Sequence, residues 1–186
     1  MFQQSEQRDS MVATQIKGIS FVHFKEYVLS QQQQEGMDQL TAQLSDELRT
    51  TLQLPFASTW YPHSYLVEME KTYCELFCEG DFSHIREYGY FDMTQSVNKV
   101  LRIFLRLASV PFLMNKAGKI WNQMIDQGEF VVIQDENGDK RATVEIRDLD
   151  PLHEVWCYDL EGNIKALLEV CGGKNVKVEH TACPLR

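Results

Sequence analysis

Five cysteines and five histidines are the residues of this 186-residue chain whose chemistry could reach beyond packing. His180 and Cys183 stand three apart near the end, and an imidazole with a thiolate is a ligand pair suited to zinc. Cys157 or Cys171, both on the preceding stretch, could join them. Val176 and Val178 read as the start of a final strand, where positions three apart face opposite ways, so a shared ion would need a bend there. Packing and strand-end roles are the expected reading, no metal ligand is assigned, and zinc is the alternative. His23, His63, His84 and His153 have no His or Cys at a compact ligand spacing, which points to surface or capping roles. Cys74 and Cys78, four apart on an expected helix, read as packing. An odd number of irregularly spaced cysteines favours reduced thiols over a disulfide framework.

Catalytic patterns are scarce. The chain has no Gly-rich phosphate loop, no nucleophile elbow and no Cys-x-x-Cys, so no catalytic residue is assigned and an enzyme is not expected. Glu68, Glu70, Glu75 and Glu79 fall at spacings that put most of them on a solvated helix face. Eighteen basic against 27 acidic residues leave a formal charge of −9, a field that repels a phosphate backbone and argues against nucleic acid as a partner. No apolar run approaches the ~18 residues of a membrane span, and Met1 to Ser10 lacks the basic and apolar blocks of a signal peptide. A cytoplasmic protein without membrane insertion is the expectation.

The elements that must position these residues follow from periodicity. Phe21, Phe24 and Val28 mark one helix, and Leu40, Leu44 and Leu48 a second that Asp38 would cap. The run Gln31 to Gln34, with Gly36 beyond it, reads as the connector between them. After a turn at Trp60-Tyr61-Pro62, the residues Tyr65, Leu66, Met69, Tyr73, Leu76 and Phe77 predict an amphipathic helix. Asp81 caps a segment leading to Gly89, and Val97 to Ala108 predicts a further helix carrying Lys99, Arg102 and Arg106. Ser109 before Pro111 starts another helix, with Ala117, Ile120, Trp121 and Met124 turned inward. The period then changes to two: Phe130 to Gln134 and Ala142 to Arg147 flank Asn137-Gly138 as an antiparallel hairpin. Asp150-Pro151 opens a last helix through Val155, Trp156, Leu160, Ile164 and Leu168, ended by Gly172-Gly173. The expected fold is α+β, a helical N-terminal half packed with a small antiparallel sheet. A single domain over residues 1–186 is expected, with 1–15 flexible.

Three motifs in order carry a family resemblance. Ile16-Lys17-Gly18-Ile19-x-Phe21, Cys157-x-x-x-Glu161-Gly162 and His180-x-x-Cys183 resemble the haem nitric oxide/oxygen binding (H-NOX) family, over nearly the whole chain from Ile16 onward. Related folds are the vinyl-reductase-type small-molecule-binding domains and the subunits of vesicle-tethering complexes. The resemblance implies an H-NOX-like fold with an extra short strand between Val12 and Ile19. In relatives the final strand is followed by a Gly-Asp turn and another strand, so a chain ending at Arg186 is expected to lack that strand or to be cut before it. The family holds haem through an axial histidine before the sheet and clamps its propionates with Tyr-x-Ser-x-Arg. Here residues 108–116 contain no histidine, and Ile146-Arg147-Asp148-Leu149-Asp150-Pro151 offers two aspartates where the clamp should stand. Haem is therefore not expected, and no cofactor is assigned.

Without the haem ligands, the family's frame implies an apolar cavity that is either filled or open to another guest. Phe112, Met114, Trp121, Ile146 and Trp156 are the candidate ligand-binding residues. The aromatic set Trp60, Tyr61, Tyr65, Phe91, Phe112, Trp121 and Trp156 reads as core that would line part of any pocket. The expected function is a haem-free sensory or regulatory domain that binds a small apolar ligand, a signalling protein or both. Two alternatives are an interaction scaffold that self-associates without a small ligand and a gas-sensing haem protein with a non-standard axial ligand.

Overall fold

The computed structural model describes residues 13–97, 116–134, 141–149, 153–183 and 185. The expected helix from Val97 to Ala108, the Ser109-Pro111 start, the Asn137-Gly138 turn, and the candidate residues Phe112 and Met114 lie outside the described residues, apart from Val97 itself.

The order of elements is β1 (Gln15–Lys17), α1 (Ile19–Gln43), α2 (Asp46–Gln53), β2 (Trp60–Pro62), α3 (His63–Phe77), a single 3-10 turn (Phe82–His84), α4 (Ile85–Ser96), α5 (Ala117–Met124), β3 (Glu129–Gln134), β4 (Ala142–Arg147) and α6 (Glu154–Val170). Mixed helix and sheet is as expected, but the strands make two separate antiparallel pairs. β1 pairs with β2, Ile16 opposite Tyr61, and β3 pairs with β4, Phe130 opposite Ile146. An isolated bridge from Ile16 to Ile125 brings the end of α5 to the first pair. The short strand at Gln15–Lys17 agrees with the Lys17-Gly18 motif, and Trp60 to Pro62 is its partner strand rather than a turn. Gly18 is required there because a Cβ would overlap the Phe56 carbonyl and stand 2.7 Å from the Tyr61 ring.

Several boundaries differ from the periodic reading. α1 runs on through the glutamine stretch, with one non-helical residue, Gln33, at the expected connector. Asp38 is interior to that helix, and the break falls at Leu44 and Ser45, so Leu44 and Leu48 belong to different elements. The four-residue repeat persists because Leu40, Leu44 and Leu48 all reach the same core from either side of the break. Asp81 does cap, its carboxylate accepting from Ser83 N at 2.9 Å.

The core is aromatic and formed by α1, α3, α4 and α6, with Phe24, Tyr73 and Tyr88 packed edge to face. The closest helix pair is α4 with α6, and reciprocal glycines allow it. A Cβ at Gly162 would overlap the Arg86 carbonyl and stand 2.8 Å from Tyr90 N; one at Gly89 would stand 2.6 Å from the Asp159 carboxylate and overlap its carbonyl. Glu161-Gly162 thus has a packing reason: the backbone of α4 occupies the space of the missing side chain.

Four residues face differently from their spacing. Glu70, one of four glutamates of which most were expected in water, is fully buried, while Leu76, expected on the apolar face, is 39 % exposed. The helix buries a stripe wide enough to take in position 70 because α1 and α6 both pack against it. His23 and His63 are likewise buried rather than at the surface. His153 does cap, its Nδ1 accepting from Val155 N at 3.1 Å, and His84 is exposed beside Asp81.

Candidate functional site

The C-terminal segment, expected as a strand, has no strand among its described residues. α6 ends at Cys171, with Gly172 at φ +93° and Gly173 N donating to the Leu168 carbonyl at 2.9 Å. This glycine pair turns the chain back along α6. Residues 157 and 171 lie about 21 Å apart along a helix, whereas ten extended residues span up to about 33 Å, so the returning segment has slack to bend. The parity of a regular strand therefore does not govern it.

That bend brings His180 and Cys183 to Cys157, the combination held as the alternative reading. One ligand atom from each of Cys157, His180 and Cys183 lies within 4.8 Å of the others. The two sulfurs are 3.6 Å apart. Two thiolates at about 2.3 Å from one tetrahedral ion stand about 3.8 Å apart, so the existing sulfur separation already approximates one edge of a zinc site. Leu185 N donates to Cys183 Sγ at 3.4 Å. Cys157 is buried, Cys183 half-buried and His180 at the surface, so solvent reaches one side of the cluster.

Glu161 stands one helical turn after Cys157 and faces the same way. Its carboxylate lies 3.6 Å from His180 Nδ1 and accepts from Arg86 Nε at 2.5 Å. A carboxylate behind an imidazole fixes its orientation, and the opposite ring nitrogen, Nε2, lies 3.1 Å from the Ala182 carbonyl. Arg86 also lies over the Tyr158 ring at 4.4 Å, which ties α4 to the same face. Between α4, α6 and the returning segment runs an open groove of about 650 Å³, lined among others by Arg86, Tyr90, Lys165, Val176 and Val178. Cys171, expected as an equal candidate, is excluded from the cluster and buried at the far end of α6, where burial pushes its thiol up to about 11.

On the residue before Cys157 the helix turns to a different environment. Trp156 is buried against Trp121, ring centres 5.9 Å apart, and Trp121 packs on Phe130 at 5.4 Å. Phe130 is the cross-strand partner of Ile146, which is half-buried against the same core. The candidates Trp121, Ile146 and Trp156 thus belong to one connected apolar cluster. Periodicity did not reveal its polar member, His63, whose ring meets Trp156 edge to face at 4.5 Å. Neither nitrogen of His63 has a hydrogen-bond partner among the described residues, and burial lowers its pKa from 6.5 to about 4. A neutral imidazole in this packed apolar cluster carries one donor and one acceptor without described partners.

No family model, curated protein or solved structure matches this chain. No described helix is long and apolar enough to cross a membrane.

Proposed function

We propose that this chain is a haem-free regulatory domain of H-NOX-like frame, in which a zinc ion held by Cys157, His180 and Cys183 fastens the C-terminal segment to α6. The convergence of those three side chains, with sulfurs at tetrahedral-edge separation, carries the proposal. Zinc is favoured because two thiolates and an imidazole form a borderline-soft donor set. The three protein ligands tie a segment without regular hydrogen bonding to a helix, and the ion's fourth position falls to solvent on the open side. Glu161 positions the imidazole, and Arg86 holds Glu161.

The regulated input in this reading is a small, largely apolar molecule seated beside Trp121, Ile146 and Trp156. His63 supports that assignment, because a buried imidazole with both nitrogens unpaired costs stability that a guest's polar group would recover. Trp156 and Cys157 are consecutive on α6, so a guest that shifts the tryptophan shifts the metal ligand. A signalling protein reading the C-terminal segment would sense that shift.

Hydrogen exchange on the zinc-loaded and chelator-treated protein tests the proposal. Residues 174–183 should lose protection when the metal is removed while α1 and α3 keep theirs. Equal protection in both samples, with metal shown to be present and then removed, would sink the idea. For the scaffold alternative, the expected finding is a stable oligomer in light scattering whose mass is independent of any small molecule.

A further inference from the structure

Apart from the metal cluster and the aromatic wall, the described helices share a third buried feature, a group of acids. Glu70 on α3 is fully buried, and neither carboxyl oxygen has a hydrogen-bond partner among the described residues. Asp92 on α4 and Asp159 on α6 are also buried and face it electrostatically. Both are engaged elsewhere. Asp92 meets His23 Nδ1 of α1 at 2.6 Å and accepts from Ser20 Oγ at 3.4 Å, while Asp159 accepts from Asn163 Nδ2 at 2.9 Å. Other described titratable groups that interact with Glu70 are the Tyr88 hydroxyl of α4, which donates to the Ser20 carbonyl at 2.8 Å, and the Cys74 thiol one turn along α3. Among these described neighbours the only basic group is His23, and it lies against Asp92.

An ionised carboxylate buried without a counter-charge or a hydrogen bond is among the most unfavourable groups in a protein, and it takes up a proton instead. Burial and the two neighbouring carboxyls act on Glu70 in the same direction, raising its pKa well above the ordinary 4.5. A neutral carboxyl can sit in this junction; a charged one cannot sit there without water or rearrangement. We infer that Glu70 is a proton-operated latch of the helical junction: with the proton bound, α3 packs against α1 and α6, and its loss loosens α3. The consequence reaches the site described above, because α3 begins at His63, which packs on Trp156 beside Cys157. The latch depends on neither a metal nor a guest, so it stands apart from the proposed function.

An acid whose folded pKa is raised gives stability that is fully present below its unfolded value and is lost as pH rises toward the folded one. The test is urea unfolding of the full chain at several pH values from about 6 to about 9, for wild type, Glu70→Gln and Glu70→Met. Within the window between the two pKa values, one proton's linkage raises the wild-type unfolding constant by up to about tenfold per pH unit relative to either variant. Alkaline-enhanced hydrogen exchange in α3, beyond the intrinsic rate increase, should vanish in the same variants. Identical pH slopes in wild type and a folded variant overturn the latch. If neither variant folds, infrared spectroscopy of the wild type decides: a protonated-carboxyl stretch at neutral pH that disappears together with α3 protection supports it, and absence of such a band at neutral pH overturns it.

Discussion

Acidifying this protein should cost it stability through His63 specifically. Its imidazole is fully buried against Trp156, both nitrogens lack described partners, and burial lowers its pKa to about 4 against 6.5 when exposed. The sign follows from proton counting. Between those values the unfolded chain binds a proton that the folded chain refuses, so the contribution is fully present above about pH 6.5 and is lost as pH falls toward about 4. The full gap corresponds to about 3 kcal/mol, of which about 2 kcal/mol is already gone at about pH 5. His63→Phe keeps an aromatic ring against Trp156 and removes the proton site. Urea unfolding at about pH 7.5 and about pH 5 should show the wild type losing about 2 kcal/mol more than the variant on acidification. The variant should match or exceed the wild type near neutrality, because an unpaired buried imidazole costs about 1 kcal/mol or more. Parallel losses in the two proteins would refute the assignment of His63 as a buried neutral histidine.

Gly162→Ala should lose about 2 kcal/mol or more, since its Cβ would meet the backbone of α4 rather than a side chain that can move; an unchanged thermal midpoint would contradict that close approach. Glu161→Gln keeps the shape behind His180 while removing its charge, and should weaken zinc binding by about tenfold or more in a chelator competition, whereas equal affinity would deny the positioning role. Haem added to the purified chain should give no stoichiometric Soret band. A strong one would restore the gas-sensing alternative.

The fold was legible in the sequence where the apolar spacing within one element matches its burial over most of its length. Helix α3 and the hairpin strands stand where their periodicity puts them, with Leu76 and Ile133 exposed, and Asp81 caps as its residue type predicts. The rule fails where burial crosses elements. Leu40, Leu44 and Leu48 keep a four-residue repeat although the helix breaks at Leu44, because the core accepts a leucine from either side of the break. Glu70 shows the reverse failure. A glutamate among three others reads as solvated, but α1 and α6 pack over it, and the buried carboxyls that act on it, Asp92 and Asp159, lie 22 and 89 residues further on.

The candidate site was legible in its parts and not in its assembly. His180-x-x-Cys183 and Cys157-x-x-x-Glu161-Gly162 are visible as motifs, but the strand expected from Val176 and Val178 would have turned His180 and Cys183 apart. The glycine turn at the end of α6 supplies the missing information, because it sends an irregular segment back over the helix with slack enough to curl. His63 left no periodic signal at all: it is the first residue of its helix, and only contact with Trp156 distinguishes it from a surface histidine. Trp121, Ile146 and Trp156 do gather, and for an apolar cluster composition and inward spacing were sufficient.

The measurement that bears most directly on the account is the metal content of the purified chain, by elemental analysis, with Cys157→Ser and Cys183→Ser beside it. One zinc per chain in the wild type, substantially lost in both variants while far-ultraviolet dichroism shows the helices retained, is the predicted result. A wild-type chain that holds no zinc after incubation with the ion and removal of excess, or variants that hold as much as the wild type, would contradict the claim that Cys157, His180 and Cys183 form a metal centre.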